Sequence, residues 1–401
     1  MSDKAQAITS MTETEHSEHD NNTQQTWAKQ QLHDVLTQKR IIVCCGAGGV
    51  GKTTTSAALG LAATLLGRRV LVLTIDPARR LADALGTSLT QDTPQEVDIR
   101  THINITKYSS IGRFDLWMVQ PQPVFDRMIQ TLARDEEHAR QIFSTRIYQA
   151  VRRLVAGMQE YMAGESLYQY VQQRNYDLIV LDTPPSRNAI DFLNAPEQLL
   201  RFLDARVLRA FAPPEKSSFW LNRARKLINA TFEQVAGLRF LVDTQEFVGL
   251  MFDIFDTLQE HARVVREMLA SEQSTHLLVT SPDVLAQQEA LYFQHMLTQR
   301  KIPFAGFLLN RSLAMLPTTF FQELNASEKA ALGISSPTLE AAFQKMLPLA
   351  EQEVTLVSKH QEIYRKLKQK TSAPSFAFAT PHLGEDIEDL SGLLRLAHVF
   401  L

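Results

Sequence analysis

Cysteine is nearly absent. The 401 residues hold two, Cys44 and Cys45, adjacent in an apolar run. Sequence neighbours are poorly placed to bridge, and neither has a second cysteine at metal spacing. A disulfide framework and a cysteine-held zinc are therefore not expected, and both thiols read as core residues in a reducing compartment. Charge of one sign is also missing: 41 Lys and Arg against 44 Asp and Glu leave a net charge of −3. That balance gives no global pull toward nucleic acid or anionic lipid. No apolar run reaches the roughly 18 residues of a spanning helix, and the N-terminus lacks the basic-then-apolar pattern of a signal peptide. No stable membrane insertion and no nucleic-acid partner are expected, and the expected location is cytoplasmic.

Large apolar residues are scarce in residues 1–25, which are polar and acidic. Such a segment cannot bury enough surface to offset ordering, so a disordered tail is expected. His16 and His19 within it read as bystanders. A short helix from Trp27 to about Gln38 follows.

What is present begins at Arg40. Arg40–Cys45 is a short apolar run, Gly46–Gly51 a glycine-rich loop, Lys52–Leu66 a helix of small and aliphatic residues, and Arg69–Ile75 a second apolar run. Strand, turn, helix and strand over about 35 residues make a βαβ unit with strands apolar on both faces, as a buried parallel sheet requires. Further strands are expected at Leu178–Leu181, Leu277–Thr280, Phe304–Leu309 and Phe376–Ala379, and a closing helix near Glu385–Val399. The stretches of about 120–172 and 187–270 carry helical periodicity without a convincing strand. The expected fold is α/β: one domain over 38–401 with a mostly parallel central sheet flanked by helices and an α-helical insertion subdomain.

Gly46-Ala47-Gly48-Gly49-Val50-Gly51-Lys52-Thr53 satisfies G-x-x-x-x-G-K-[ST]. Glycines let the backbone curl so that successive N–H groups point at phosphate oxygens. Lys52 supplies a point charge for the β- and γ-phosphates, the Thr53 hydroxyl can ligate Mg²⁺, and Thr54 follows in the first helical turn, whose dipole favours an anion. Asp182 ends the run Leu178–Leu181 and precedes Thr183-Pro184-Pro185. An acid at the C-terminal end of a parallel strand faces the crevice of the phosphate loop, so Asp182 is assigned to the Mg²⁺ shell through water. Asp76 has two readings: orienting or deprotonating the attacking water, or capping a helix beside Pro77. The Asn/Thr-Lys-x-Asp element of guanine-specific proteins is missing from the late strand, which ends at Asn310-Arg311-Ser312. An amide such as Asn310 can pair with adenine, and ATP is the expected nucleotide.

Gly46–Thr54, Asp76-Pro77-Ala78 with Leu81 and Asp83, and Asp182–Pro185 together resemble the ArsA-type P-loop ATPases, a family that includes the arsenite-efflux ATPase and the cytosolic ATPase that targets tail-anchored membrane proteins. The resemblance covers roughly 38–401, and Gly157–Met162 and Ser281–Val284 look like its bacterial branch. It implies a nucleotide-dependent homodimer, Asp76 as the residue that activates water, a second switch over Asp182–Asn188, and adenine held by Asn310 and the backbone at Pro381. The departures are equally specific. Family members often carry a lysine where this chain has Ala47, and that lysine reaches the partner's phosphates. Arg79, Arg80 and Arg187, in that order, are the candidates to replace its charge, against the plainer reading that they pair with surface carboxylates. The family's C-x-x-C zinc pair and dispersed metalloid-binding cysteines have no counterpart here, so neither zinc bridging nor arsenite sensing is expected.

Leu199–Phe211 and then Phe240, Phe247, Met251, Phe252 and Phe255 present apolar residues at helical spacing. Across a dimer they could make a groove for an apolar client helix. The alternatives are an insert packed on its own core or a membrane-surface contact. The functional expectation is an ATP-driven dimeric switch for targeting or transport of a client. The alternatives are a partitioning or positioning ATPase of the ParA/MinD kind, and a P-loop kinase or ligase with a small substrate.

Overall fold

The computed structural model describes residues 23–75, 92–155, 158–184, 192–198, 200, 238–316, 337–384, 387 and 389–401. Helix α1 covers 23–38. It begins before the expected Trp27 and so takes residues 23–25 out of the segment expected to be a disordered tail. The reason is a specific tie. The Gln25 side chain donates to the Ala379 carbonyl at 2.8 Å and accepts from the Ala379 N–H at 3.2 Å. Strand β1 (Ile41–Cys45), helix α2 (Lys52–Leu65) and strand β2 (Arg69–Thr74) form the expected βαβ unit.

Two strands were hidden from the sequence. β3 (Gln95–Glu96) is two residues long, and β4 (Arg113–Met118) is interrupted by charge. Asp115 in β4 is fully buried. It stays inside because the Arg113 Nε donates to it at 2.7 Å and the Tyr176 hydroxyl at 2.6 Å; buried charge is tolerated when it is paired and hydrogen-bonded. Helices α3 (Pro121–Leu132), α4 (Glu136–Ser144), α5 (Arg146–Val155) and α6 (Gln159–Gln173) follow, then β5 (Leu178–Asp182). Next come the long helix α7 (Leu238–Ala270), β6 (Ser274–Thr280), α8 (Val284–Gln299), β7 (Phe304–Ser312), α9 (Pro337–Lys368), β8 (Phe376–Pro381) and α10 (Leu390–Phe400). The last helix starts later than expected, where the Asp389 side chain caps it by accepting from the Gly392 N–H, one of the donors that a helix start leaves unmet.

Among the described residues the sheet has eight strands in the order β3-β4-β2-β5-β1-β6-β7-β8, all parallel except β3, which runs antiparallel to β4. Alternate residues feed two cores, as period-2 side-chain geometry dictates. Ile41, Val43 and Cys45 of β1, with Leu71 and Leu73 of β2, face α3–α8; Ile42, Cys44, Val70 and Val72 face α1, α2 and α10. The two cysteines thus lie in different cores, unpaired and buried. Burial pushes the Cys45 thiol up to about 12, which makes it a packing residue at neutral pH. The first core runs without a break from the sheet face to Phe247, Met251 and Phe255 of α7. Among the described residues, helices α3–α7 therefore cover one face of the sheet.

Candidate functional site

Because the strands are parallel, the ends of β1, β2, β5, β6, β7 and β8 reach one edge of the sheet, and the phosphate loop leaves β1 there. Two of its glycines have identifiable reasons. A Cβ on Gly46 would stand 2.1 Å from the Val279 carbonyl oxygen of β6, so only glycine lets the loop leave β1 beside β6. Gly51 has φ +88° and a Cβ there would meet the Asn310 amide nitrogen at 2.3 Å. It precedes α2 in a left-handed conformation that favours glycine and directs the helix N-terminus, with its partial positive charge, into the loop. Lys52 is only 6% exposed, and its Nζ donates to the Ala47 carbonyl at 2.7 Å. The ammonium lies folded across the loop that it is expected to serve.

Asp182 is the second centre. It is fully buried. The Thr53 hydroxyl donates to its Oδ2 at 2.7 Å, the Thr74 hydroxyl to the same oxygen at 2.9 Å, and the Ser56 hydroxyl approaches Oδ1 at 3.4 Å. Its backbone carbonyl accepts from the Ile75 N–H at 3.0 Å. One carboxylate thus gathers α2, β2 and β5 at a single point. Just beyond it, the Thr183 hydroxyl donates to the Cys44 carbonyl at 2.8 Å, fixing the chain where it leaves β5. Thr53 and Asp182, assigned from the sequence to Mg²⁺, are side by side. Ser56 and Thr74 were not foreseen, because hydroxyls at ordinary helix and strand positions carry no signal until the fold brings them together.

Asn310 is brought to the loop in an unexpected environment. It is 6% exposed, its Nδ2 donates to the Val50 carbonyl at 2.9 Å, and its Oδ1 accepts from the Thr380 hydroxyl at 2.9 Å. Any contact with a base must share this amide. Pro381, at the end of β8, is exposed. Ala47 and Val50 are buried in the second core, while Gly48 and Gly49 are exposed. Asp76, Arg79, Arg80 and Arg187 lie outside the described residues, as do His16, His19, Gly157 and residues 201–211.

A second concavity lies in the first core, away from the loop. It encloses about 1040 Å³ between α3, α5, α6, residues 192–196 and α7, with a wall that is almost wholly apolar. Leu154, 72% exposed, and Phe240, 45% exposed, stand on its rim. The charged side chains in its wall include Glu165, whose carboxylate meets His261 Nδ1 at 3.0 Å; Tyr168 stacks on that imidazole with ring centroids 3.8 Å apart. Phe247, Met251 and Phe255, singled out in the sequence, line it.

A glycine-rich loop from a buried parallel strand into a helix, with a buried acid on the neighbouring strand, defines a P-loop nucleotide-binding protein. Within that class, the family model described as anion-transporting ATPase matches residues 39–369, and the chain belongs to this family of ATPases. It is 24% identical over 354 residues to the ATPase ASNA1 homolog 1 of Paramecium tetraurelia, covering 86% of this chain and 98% of that one. It is 24% identical over 265 residues to ATPase get3 of Schizosaccharomyces japonicus (strain yFS275 / FY16936), covering 62% and 77%. A provisionally named arsenical pump-driving ATPase 1 of Aquifex aeolicus (strain VF5) is 25% identical over 269 residues, covering 63% of this chain and 59% of that protein. No helix among the described residues is long and apolar enough to cross a membrane.

Proposed function

We propose that this chain is a Mg²⁺-dependent ATP hydrolase that works as a nucleotide-driven dimeric switch and uses its apolar chamber to hold part of a client helix. The observation that carries the reading is the convergence of the Gly46–Thr54 loop, buried Lys52 and the Thr53–Asp182 pair at one sheet edge, above a packed core that also forms the chamber wall.

The residues fit the groups they would hold. The Thr53 hydroxyl proton is directed at Asp182, which leaves an oxygen lone pair for a cation, and the buried carboxylate offers acceptors to the cation's water shell. Mg²⁺ there supplies charge neutralisation of the phosphates. Lys52, now on the Ala47 carbonyl, provides the ammonium for the β- and γ-phosphates. Asp76, the second residue past Thr74, is the proposed activator of water, and Arg79 the first candidate for the charge that Ala47 does not bring. On the base side the proposal assigns Pro381 and whatever hydrogen-bonding capacity the Asn310 amide retains.

The chamber volume supports the dimer. A helix about 10 Å across fills roughly 80 Å² of cross-section, so a chamber of about 1040 Å³ holds on the order of nine residues. A membrane span needs about 20. One copy accommodates less than half, and two chambers facing each other would come close to the whole. An arsenical or other anion is not favoured as cargo by a wall of this composition.

The test is to load the chain with Mg²⁺ and a non-hydrolysable ATP analogue and measure its mass by light scattering, alone and with a labelled apolar helical peptide. A doubled mass, with peptide retained only in that state, is expected. A chain that binds ATP and remains a monomer without peptide refutes the switch. Flat calorimetry with ATP refutes the site itself.

A further inference from the structure

We infer that Asn310 and Thr380 are positioning residues that hold the phosphate loop in its phosphate-accepting shape. The inference rests on the nucleotide reading of that loop and adds a part to it. A loop that turns its N–H groups inward must turn carbonyls elsewhere, and the Val50 carbonyl is taken by Asn310 Nδ2 at 2.9 Å. Which end of the amide faces Val50 is set from the other side, because the Thr380 hydroxyl donates to Asn310 Oδ1 at 2.9 Å, the shorter of its two acceptor contacts. If that donor were lost, the buried Oδ1 would lose its partner and the amide would be held against Val50 at one end only.

The backbone is bent for this task. The β7–β8 register shifts between Leu309 and Ser312, and Arg311 carries a positive φ of 53°. Such irregularities re-aim side chains and persist where the surroundings require them. Gly51 completes the fit, since any side chain there would occupy the position of the Asn310 amide. On the far side β8 is itself pinned. Gln25 brackets Ala379 with two hydrogen bonds, and the Tyr364 hydroxyl donates to Gln25 Oε1 at 2.9 Å. The path from α1 through β8 and β7 to Val50 is thus a continuous hydrogen-bonded brace.

A base contact and a loop brace make different demands, and inorganic tripolyphosphate, which has no base, separates them. Affinities for Mg²⁺-ATP and Mg²⁺-tripolyphosphate would be measured for the full chain and for Thr380→Val, Thr380→Ser and Asn310→Ala. Amide hydrogen exchange over 46–54 would be followed without ligand. Thr380→Val and Asn310→Ala are expected to weaken tripolyphosphate by about five- to tenfold, the size of one buried hydrogen bond, and ATP by at least as much. Loop exchange should rise by a comparable factor, and Thr380→Ser should restore native values. Loss confined to ATP, with tripolyphosphate affinity and exchange unchanged, would make Asn310 a base reader and overturn the brace. Exchange is read on the ligand-free chain, so it decides the brace even if the nucleotide reading fails.

Discussion

Replacing Asp182 by Asn gives the sharpest test of the metal assignment, because the change removes charge while keeping shape. Oδ2 accepts from both Thr53 and Thr74, and Oδ1 faces Ser56 at the longer 3.4 Å. An amide can place its oxygen where Oδ2 stood and its nitrogen toward Ser56, which can then accept. The two short bonds survive but lose their ionic partner. Charge-assisted hydrogen bonds are about twice as strong as neutral ones, so about 1 kcal/mol is lost at each. Relief from keeping a carboxylate fully out of water offsets much of this, and the melting temperature should move by only a few degrees. The cation should respond far more. Groups that orient a metal's inner ligands typically change metal affinity 10- to 100-fold when altered, which is about 1.4–2.7 kcal/mol. Turnover at fixed ATP, followed while free Mg²⁺ is titrated, should show a half-saturating concentration raised by that factor, with binding of metal-free ATP unchanged or tighter. Unchanged Mg²⁺ dependence in a folded Asp182→Asn protein would refute the assignment, whatever happened to kcat.

Other outcomes follow from the same contacts. Lys52→Ala should lower turnover by at least about 10³-fold, since positive charge on the transferring phosphoryl group carries that weight; a steady-state ATPase assay checks it. Gly46→Ala places a methyl group 2.1 Å from the Val279 oxygen, within a backbone that cannot yield. Destabilisation of about 3 kcal/mol or more is expected in denaturant titration, in line with other overpacked or strained sites. His276 is buried, its Nδ1 faces the Pro303 carbonyl at 3.0 Å, and its Nε2 has no hydrogen-bond partner among the described residues. Burial holds its pKa down at about 4. The unfolded chain, near the ordinary 6.5, binds the proton more readily, so stability is full above about pH 6.5 and falls as pH drops toward 4, by about 3 kcal/mol from this group. His276→Leu should flatten that part of the stability-versus-pH curve, measured by urea unfolding at a series of pH values. Leu154→Glu with Phe240→Glu puts charge on the chamber rim and should weaken capture of an apolar peptide at least tenfold in a fluorescence titration.

The loop motif was legible because it is contiguous: eight successive residues carry the glycines, the lysine and the hydroxyl, and no fold is needed to assemble them. Asp182 was legible from its place after a four-residue apolar run and before two prolines. Ser56 and Thr74 were not, since they meet Asp182 only across 126 and 108 positions of sequence. β4 escaped because Arg113 and Asp115 break the run of apolar residues, and their pairing with each other, with the Tyr176 hydroxyl donating to Asp115, shows only in the fold. Asn310 was flagged by residue type and position, but its task depends on burial, which its neighbours Arg311 and Ser312 do not signal. The apolar wall of the chamber was visible as Phe247, Met251 and Phe255; that they surround space could emerge only from packing. The N-terminal boundary moved because Gln25, a polar residue in a polar segment, has its partner on a strand some 350 positions away.

The chamber of about 1040 Å³ opens past Leu154 and Phe240, and its almost wholly apolar wall gives the water that enters few hydrogen bonds and loose packing. Unfolding eliminates internal voids, and pressure favours whichever state takes up less room. Compression should therefore unfold this protein more readily than a close-packed one of equal thermal stability. An occupant that fills the chamber should confer resistance to compression, so hydrostatic pressure offers a way to detect a tenant before its identity is known.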